Sequence, residues 1–132
     1  MWTLRALIVI CLYLGMRGLG IAWTTLSQLE LYRASNAAGP PMLRITINAA
    51  LGASFFALAA KLHRRNRRAL HAAPALVIIH VLFAFFWLAS YAQAAFDRGR
   101  LGFAAVTSAL GVGFVLCLWF RLRKKFTETL DD

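Results

Sequence analysis

An all-α integral membrane four-helix bundle is the architecture this sequence predicts, and three observations predict it. The chain is 61% hydrophobic with a mean hydropathy of +0.65, above the ~45–50% apolar content of ordinary soluble domains. The excess lies in four uninterrupted apolar runs, each of roughly 20 residues and so able to cross ~30 Å of hydrocarbon as a helix. The breaks between the runs hold the turn residues and most of the positive charge. The strict alternation of a barrel strand is missing. The 132 residues fill one four-span domain, 1–132, and leave no space for a separate soluble domain.

The first span is read as Arg5 to Leu26. It starts like a secretory leader, but no small-x-small site follows closely and Arg17 interrupts it, so a retained helix is expected. "NAAGPP", Asn36 to Pro41, cannot continue a helix, because paired prolines remove backbone donors. The second span is Met42 to Leu62. "KLHRRNRRALHAAP" closes it and opens the third, Pro74 to Phe96, with Pro74 expected in the first turn, where a missing N–H costs nothing. "DRGR", Asp97 to Arg100, is expected to be a tight turn. The fourth span, Leu101 to Phe120, then pairs with the third as an antiparallel hairpin.

Fifteen Lys+Arg stand against five Asp+Glu, a net charge of +10. In a soluble domain this would point to nucleic acid. Beside four apolar runs it points to topology signals and anionic lipid, so no nucleic-acid partner is expected. With four spans, the side holding both termini and the second loop carries ten positive residues and the other side four. Both termini are therefore expected in the cytoplasm, with loop Ser27–Pro41 outside. Trp2, Trp119 and Phe120 fit the cytoplasmic interface, and Trp23 and Tyr32 the outer one. Cys11 and Cys117 lie in apolar runs with no CxxC or Cys/His spacing, so neither a metal site nor a cofactor is expected.

"HRRNRR", with Arg64, Arg65, Arg67 and Arg68, reads as a cytoplasmic loop touching anionic headgroups. Ala49, Ala53 and Ala57, and separately Ala105, Ala109 and Gly113, recur every four residues, and such small-residue faces are expected to pack helices within the unit. The Phe-rich stretch Val81–Trp87 is left for lipid or another protein. Asn48, Ser90 and Gln93, with Thr107 and Ser108, fall in the outer half of the membrane and either line a polar cavity or satisfy one another. His80 is expected to hydrogen-bond to a neighbouring helix; a two-histidine haem fails, since His63 and His71 sit in the loop.

Arg17 is the sharpest feature. It sits among Gly15, Gly18 and Gly20 near mid-span, roughly 18 Å from one edge and 13 Å from the other at ~1.5 Å per residue. An arginine there costs at least ~2.5–3.5 kcal/mol on insertion scales. No carboxylate of the chain lies at that depth. Compensation is expected from Asn48, Gln93, backbone carbonyls, a partner's acidic residue or a lipid phosphate.

The layout resembles a family of small four-helix bacterial inner-membrane proteins of uncharacterised function. Those have a basic cluster after the second helix and an aromatic-basic end to the fourth, matched here by "HRRNRR" and "WFRLRKKF". Their proline soon after the basic cluster would be Pro74, which comes late. The resemblance implies an inner-membrane location and no activity. Motifs of catalysis are absent: no GxSxG, HExxH, phosphate loop or dinucleotide fingerprint. The expected role is a non-catalytic accessory or scaffold subunit that binds larger membrane proteins and lipid. A small oligomeric channel or transporter is the alternative, and a haem or quinone subunit built on His80 a weaker one.

Overall fold

In a computed structural model of the chain, the described residues are 2–34, 39–91 and 95–128, with side chains at 95–98 and 125–128 excluded. They form five helices and no strand: α1 Trp2–Ser27, α2 Leu29–Ala34, α3 Pro41–His63, α4 Arg67–Tyr91 and α5 Ala95–Glu128. All but α2 are long and apolar enough to cross a membrane. The short α2 lies inside the first loop, where no helix was expected.

The start of α3 follows its prolines. Pro40 is the extended N-cap residue, and Pro41 opens the helix, where its missing N–H has no partner to lose. Before them Gly39 holds φ +75°, and a Cβ there would lie 2.8 Å from the Tyr91 ring. Both the backbone conformation and the space require glycine.

Two expected boundaries are corrected. The third spanning helix begins at Arg67, and Pro74 lies inside it rather than in its first turn. The turn explains why. Arg65 and Asn66 donate their backbone N–H groups to Leu62 O (2.9 Å) and Lys61 O (3.0 Å), and Arg65 takes φ 54°. This is a Schellman close of α3 with arginine in the left-handed position. Asn66 Oδ1 then accepts the Arg68 N–H at 2.9 Å and caps α4 at once. The cap sets the helix start, and Pro74 further along removes only one backbone donor.

The second correction is "DRGR". Residues 97–100 are helical, in the first turns of α5, and Gly99 has no positive φ. α4 is described to Tyr91 and α5 from Ala95; residues 92–94 lie outside the described residues. A glycine weakens a helix interior but does not stop it unless the chain takes the left-handed conformation.

α1 packs chiefly on α3, and α4 on α5, with narrower contacts between α3 and α4 and between α1 and α5. Three glycines allow the α1–α3 approach: a Cβ on Gly18 would meet Asn48 O at 2.9 Å and Gly52 Cα at 3.1 Å. The core sits at one end. Leu7, Cys11, Phe55, Leu58, Leu62, Leu70, Val77, Val115 and Leu122 are buried together, in the half that holds the 64–66 turn.

The expected alanine faces are corrected as well. Ala49 is half-buried, but Ala53, Ala57, Ala105, Ala109 and Gly113 are exposed on this unit, and a Cβ on Gly113 would meet nothing within 4 Å. On α3 the contact face runs instead through Asn48 and Gly52, all buried with Leu51 and Phe55. That face is offset from Ala49 and Ala53 by one residue, about 100° around the helix.

Candidate functional site

Beyond this core α1 stays packed on α3 through Gly15, Gly18, Ala22 and Thr25, while α4 buries no residue past His80, so the four long helices do not close together. Between them lies a cavity of about 690 Å³ with walls from α1, α3, α4 and α5. Its aromatic lining includes Tyr13, Phe83, Phe85, Trp87 and Phe114. Its polar lining is Arg17, Arg44, Asn48, His80, Thr107 and Ser108. No carboxylate is among the described lining residues.

Arg17 reaches the cavity from α1. Gly15 and Gly18, on either side of it, are buried against α3, so the arginine stands at the edge of the tightest helix contact. Among the described residues it makes no hydrogen bond or ion pair. Asn48, a proposed internal compensator, is buried, but its Nδ2 donates to Arg44 O at 2.8 Å on its own helix. Gln93, the other, lies outside the described residues. Gly20 brings no neighbour near, with nothing within 4 Å of an added Cβ.

Arg44 is the lining residue that sequence reasoning missed, since it was counted only as a topology charge. It lies one turn before Asn48 on the same face of α3 and lines the cavity. Its guanidinium sits 5.3 Å from the centre of the Tyr32 ring and 6.0 Å from that of Trp87. Aromatic faces hold the cation by their quadrupoles while leaving its donors free. The every-four-residue rule that picked out the alanines also links Arg44, Asn48 and Gly52, and that signal was available.

His80 is 5% exposed and packs edge-on against Phe55, ring centres 5.6 Å apart. The expected hydrogen bond to a neighbouring helix is corrected: its Nδ1 is buried without a partner among the described residues. Phe55 fills the adjoining face of α3 and offers no acceptor. His71 instead meets the Trp119 ring at 5.8 Å, well along α4 from His80. Trp119 is half-buried with its Nε1 unpartnered, so it belongs partly to the helix interface rather than wholly to a lipid-facing belt.

Of the remaining expected residues, Thr107 and Ser108 line the cavity, while Ser90 and the arginines of the α3–α4 turn do not. Ser90 is exposed and does not line the cavity. Thr107 Oγ1 donates to Phe103 O at 2.9 Å along its own helix. Arg64, Arg65, Arg67 and Arg68 are exposed around the α3–α4 turn, and Arg65 and Arg67 have further interactions within the chain. Among the described residues no three His, Cys, Asp or Glu side chains are grouped as metal ligands. No known protein family, curated protein or solved structure matches the chain, so the site is read from its own residues.

The chemistry of the cavity is one-sided. Among the described residues its charged groups are both guanidiniums, which have donors and no acceptor. Its walls are mainly apolar and aromatic. Such a lining suits an acceptor-rich, negatively charged group attached to an apolar body.

Proposed function

We propose that this chain is a non-catalytic accessory subunit of a bacterial inner membrane, which packs against larger membrane proteins and lipid. Its four long helices form an antiparallel bundle with both termini cytoplasmic. The residue pairing of α1 and α3 supports the antiparallel arrangement, because Gly15 approaches Phe56 and Gly18 approaches Asn48. The ten-to-four split of positive residues supports the orientation. The likeness to small four-helix inner-membrane proteins supports the location.

The observation that carries the role is α5. Of an 18-residue apolar stretch, 39% is buried in α3 but only 11% in α5. Val115, Leu118 and Leu122, its buried residues, lie in the second half of the helix. Along residues 103–113 it turns Phe103, Val106 and Leu110 outward, beside the uncovered small residues Ala105, Ala109 and Gly113. In lipid, close helix association is favoured by small residues that let backbones approach. A face combining that stripe with large apolar side chains suits a second protein's helix. A photo-crosslinking residue placed at Ala109 tests this in living cells. An adduct with another membrane protein is expected there and not with the same residue at buried Val115; no adduct from Ala109 contradicts the reading. The cavity favours a second reading, a small transport protein, and substrate flux in liposomes holding the pure chain would favour it over the first.

A further inference from the structure

We propose that the cavity holds the headgroup of an anionic phospholipid, with Arg17 and Arg44 binding the phosphate and the aromatic wall receiving an acyl chain. Four features of the cavity converge on this class. Two guanidiniums from different helices line one space with no carboxylate among its described lining residues. Each offers a planar fork of donors matched to phosphate oxygens. Arg17 has no hydrogen-bond or ion-pair partner among the described residues, although charge in a membrane interior is costly when unpaired. A buried imidazole nitrogen, His80 Nδ1, stands unpartnered in the same lining.

Size and wall chemistry decide between a free anion and an amphiphile. The volume of about 690 Å³ exceeds what one small anion needs, since a water molecule's share of liquid volume is only ~30 Å³. Tyr13, Phe83, Phe85 and Phe114 supply an apolar body to the site that an inorganic ion would not use. The cavity lies between helices that cross the membrane, so a lipid enters it from the side without leaving the bilayer. This occupant would also meet the cost of Arg17 without an acidic residue from any partner. The inference rests on the reading of the long helices as membrane-crossing, and it is independent of the partner face on α5.

The experiment uses the full chain in an uncharged detergent. Dioctanoyl phosphatidylglycerol, dioctanoyl phosphatidylcholine and inorganic phosphate each displace a fluorescent phosphatidylglycerol. The expected result is saturable binding of about one phosphatidylglycerol per chain, with the other two at least about tenfold weaker. Arg17→Gln and Arg44→Gln each weaken binding about tenfold or more, the effect of losing a charge-assisted hydrogen-bonding group. Arg17→Lys and Arg44→Lys retain charge but lose the planar fork, and fall between. Replacing Arg64, Arg65, Arg67 and Arg68 together by Gln leaves the saturable component intact. If Arg17→Gln does not fold, as judged by elution volume and far-UV circular dichroism, Arg44→Gln alone decides. Three results overturn the proposal: both glutamine variants binding like the parent, phosphatidylcholine binding as well as phosphatidylglycerol, or inorganic phosphate binding as well as either. Release of the chain from membranes by alkaline carbonate would instead refute the membrane-crossing reading, and failure of the Ala109 crosslink only the accessory role.

Discussion

Replacing Gly18 by alanine isolates a close backbone contact between α1 and α3. The added Cβ would lie 2.9 Å from Asn48 O and 3.1 Å from both Cα and N of Gly52. Favourable carbon contacts lie at ~3.5–4.0 Å. All three neighbours are backbone atoms, so no side chain can turn away, and α3 must shift as a body by about 0.5 Å along that contact. Overpacking of this kind costs ~1–3 kcal/mol. Against it, exchanging glycine for alanine in a helix recovers ~0.5–1 kcal/mol. A net loss of about 1–2 kcal/mol is expected. Gly20→Ala, two residues along the same helix, meets nothing within 4 Å and should gain the full ~0.5–1 kcal/mol. Reversible unfolding in mixed micelles of dodecyl maltoside and dodecyl sulfate, followed by circular dichroism, measures both. Equal stability of the two variants, or a more stable Gly18→Ala, would refute the α1–α3 packing.

Other consequences are as direct. Asn66→Ala removes the acceptor for the Arg68 N–H and should lower stability by about 1 kcal/mol in the same assay. Because Ala109 is exposed on the single unit, Ala109→Phe should move that stability by less than ~0.5 kcal/mol while weakening co-purification of partners. For topology, a reporter active only outside the cytoplasm should be silent when fused after Asp132 and active when inserted within 34–39; the opposite pattern reverses the orientation.

The existence of four long helices was legible because spanning length and continuous apolarity are one-dimensional properties. Arg5–Leu26 and Met42–Leu62 came within a few residues of α1 and α3. Boundaries set by hydrogen bonds were harder. Proline at 74 reads as a start signal, yet the cap at Asn66 fixes the first turn and a proline deeper in removes one bond. "DRGR" had turn composition, but composition does not fix φ, and its glycine keeps a helical backbone. The choice of packing face failed for a related reason. In a uniformly apolar helix the pattern of hydrophobic residues no longer marks the inner side. Two small-residue faces of α3, one residue apart, then look alike, and only the partner glycines of α1 select between them. The cavity was half visible: Asn48, Thr107 and Ser108 stood together as one possible lining and all three border it, while Arg44 was hidden by its explanation as a topology charge, and Ser90 is not among the lining residues.

The central claim is that this chain works in association with another membrane protein. Its native mass, measured after extraction from its own membranes in mild detergent or with a polymer that retains lipid, tests it most directly. The expected result is a mass well above the 14.7 kDa chain with a second polypeptide in fixed ratio, and loss of that species in Ala109→Phe while the variant itself stays folded. A chain recovered only by itself, as a monomer or as copies of itself, would contradict it.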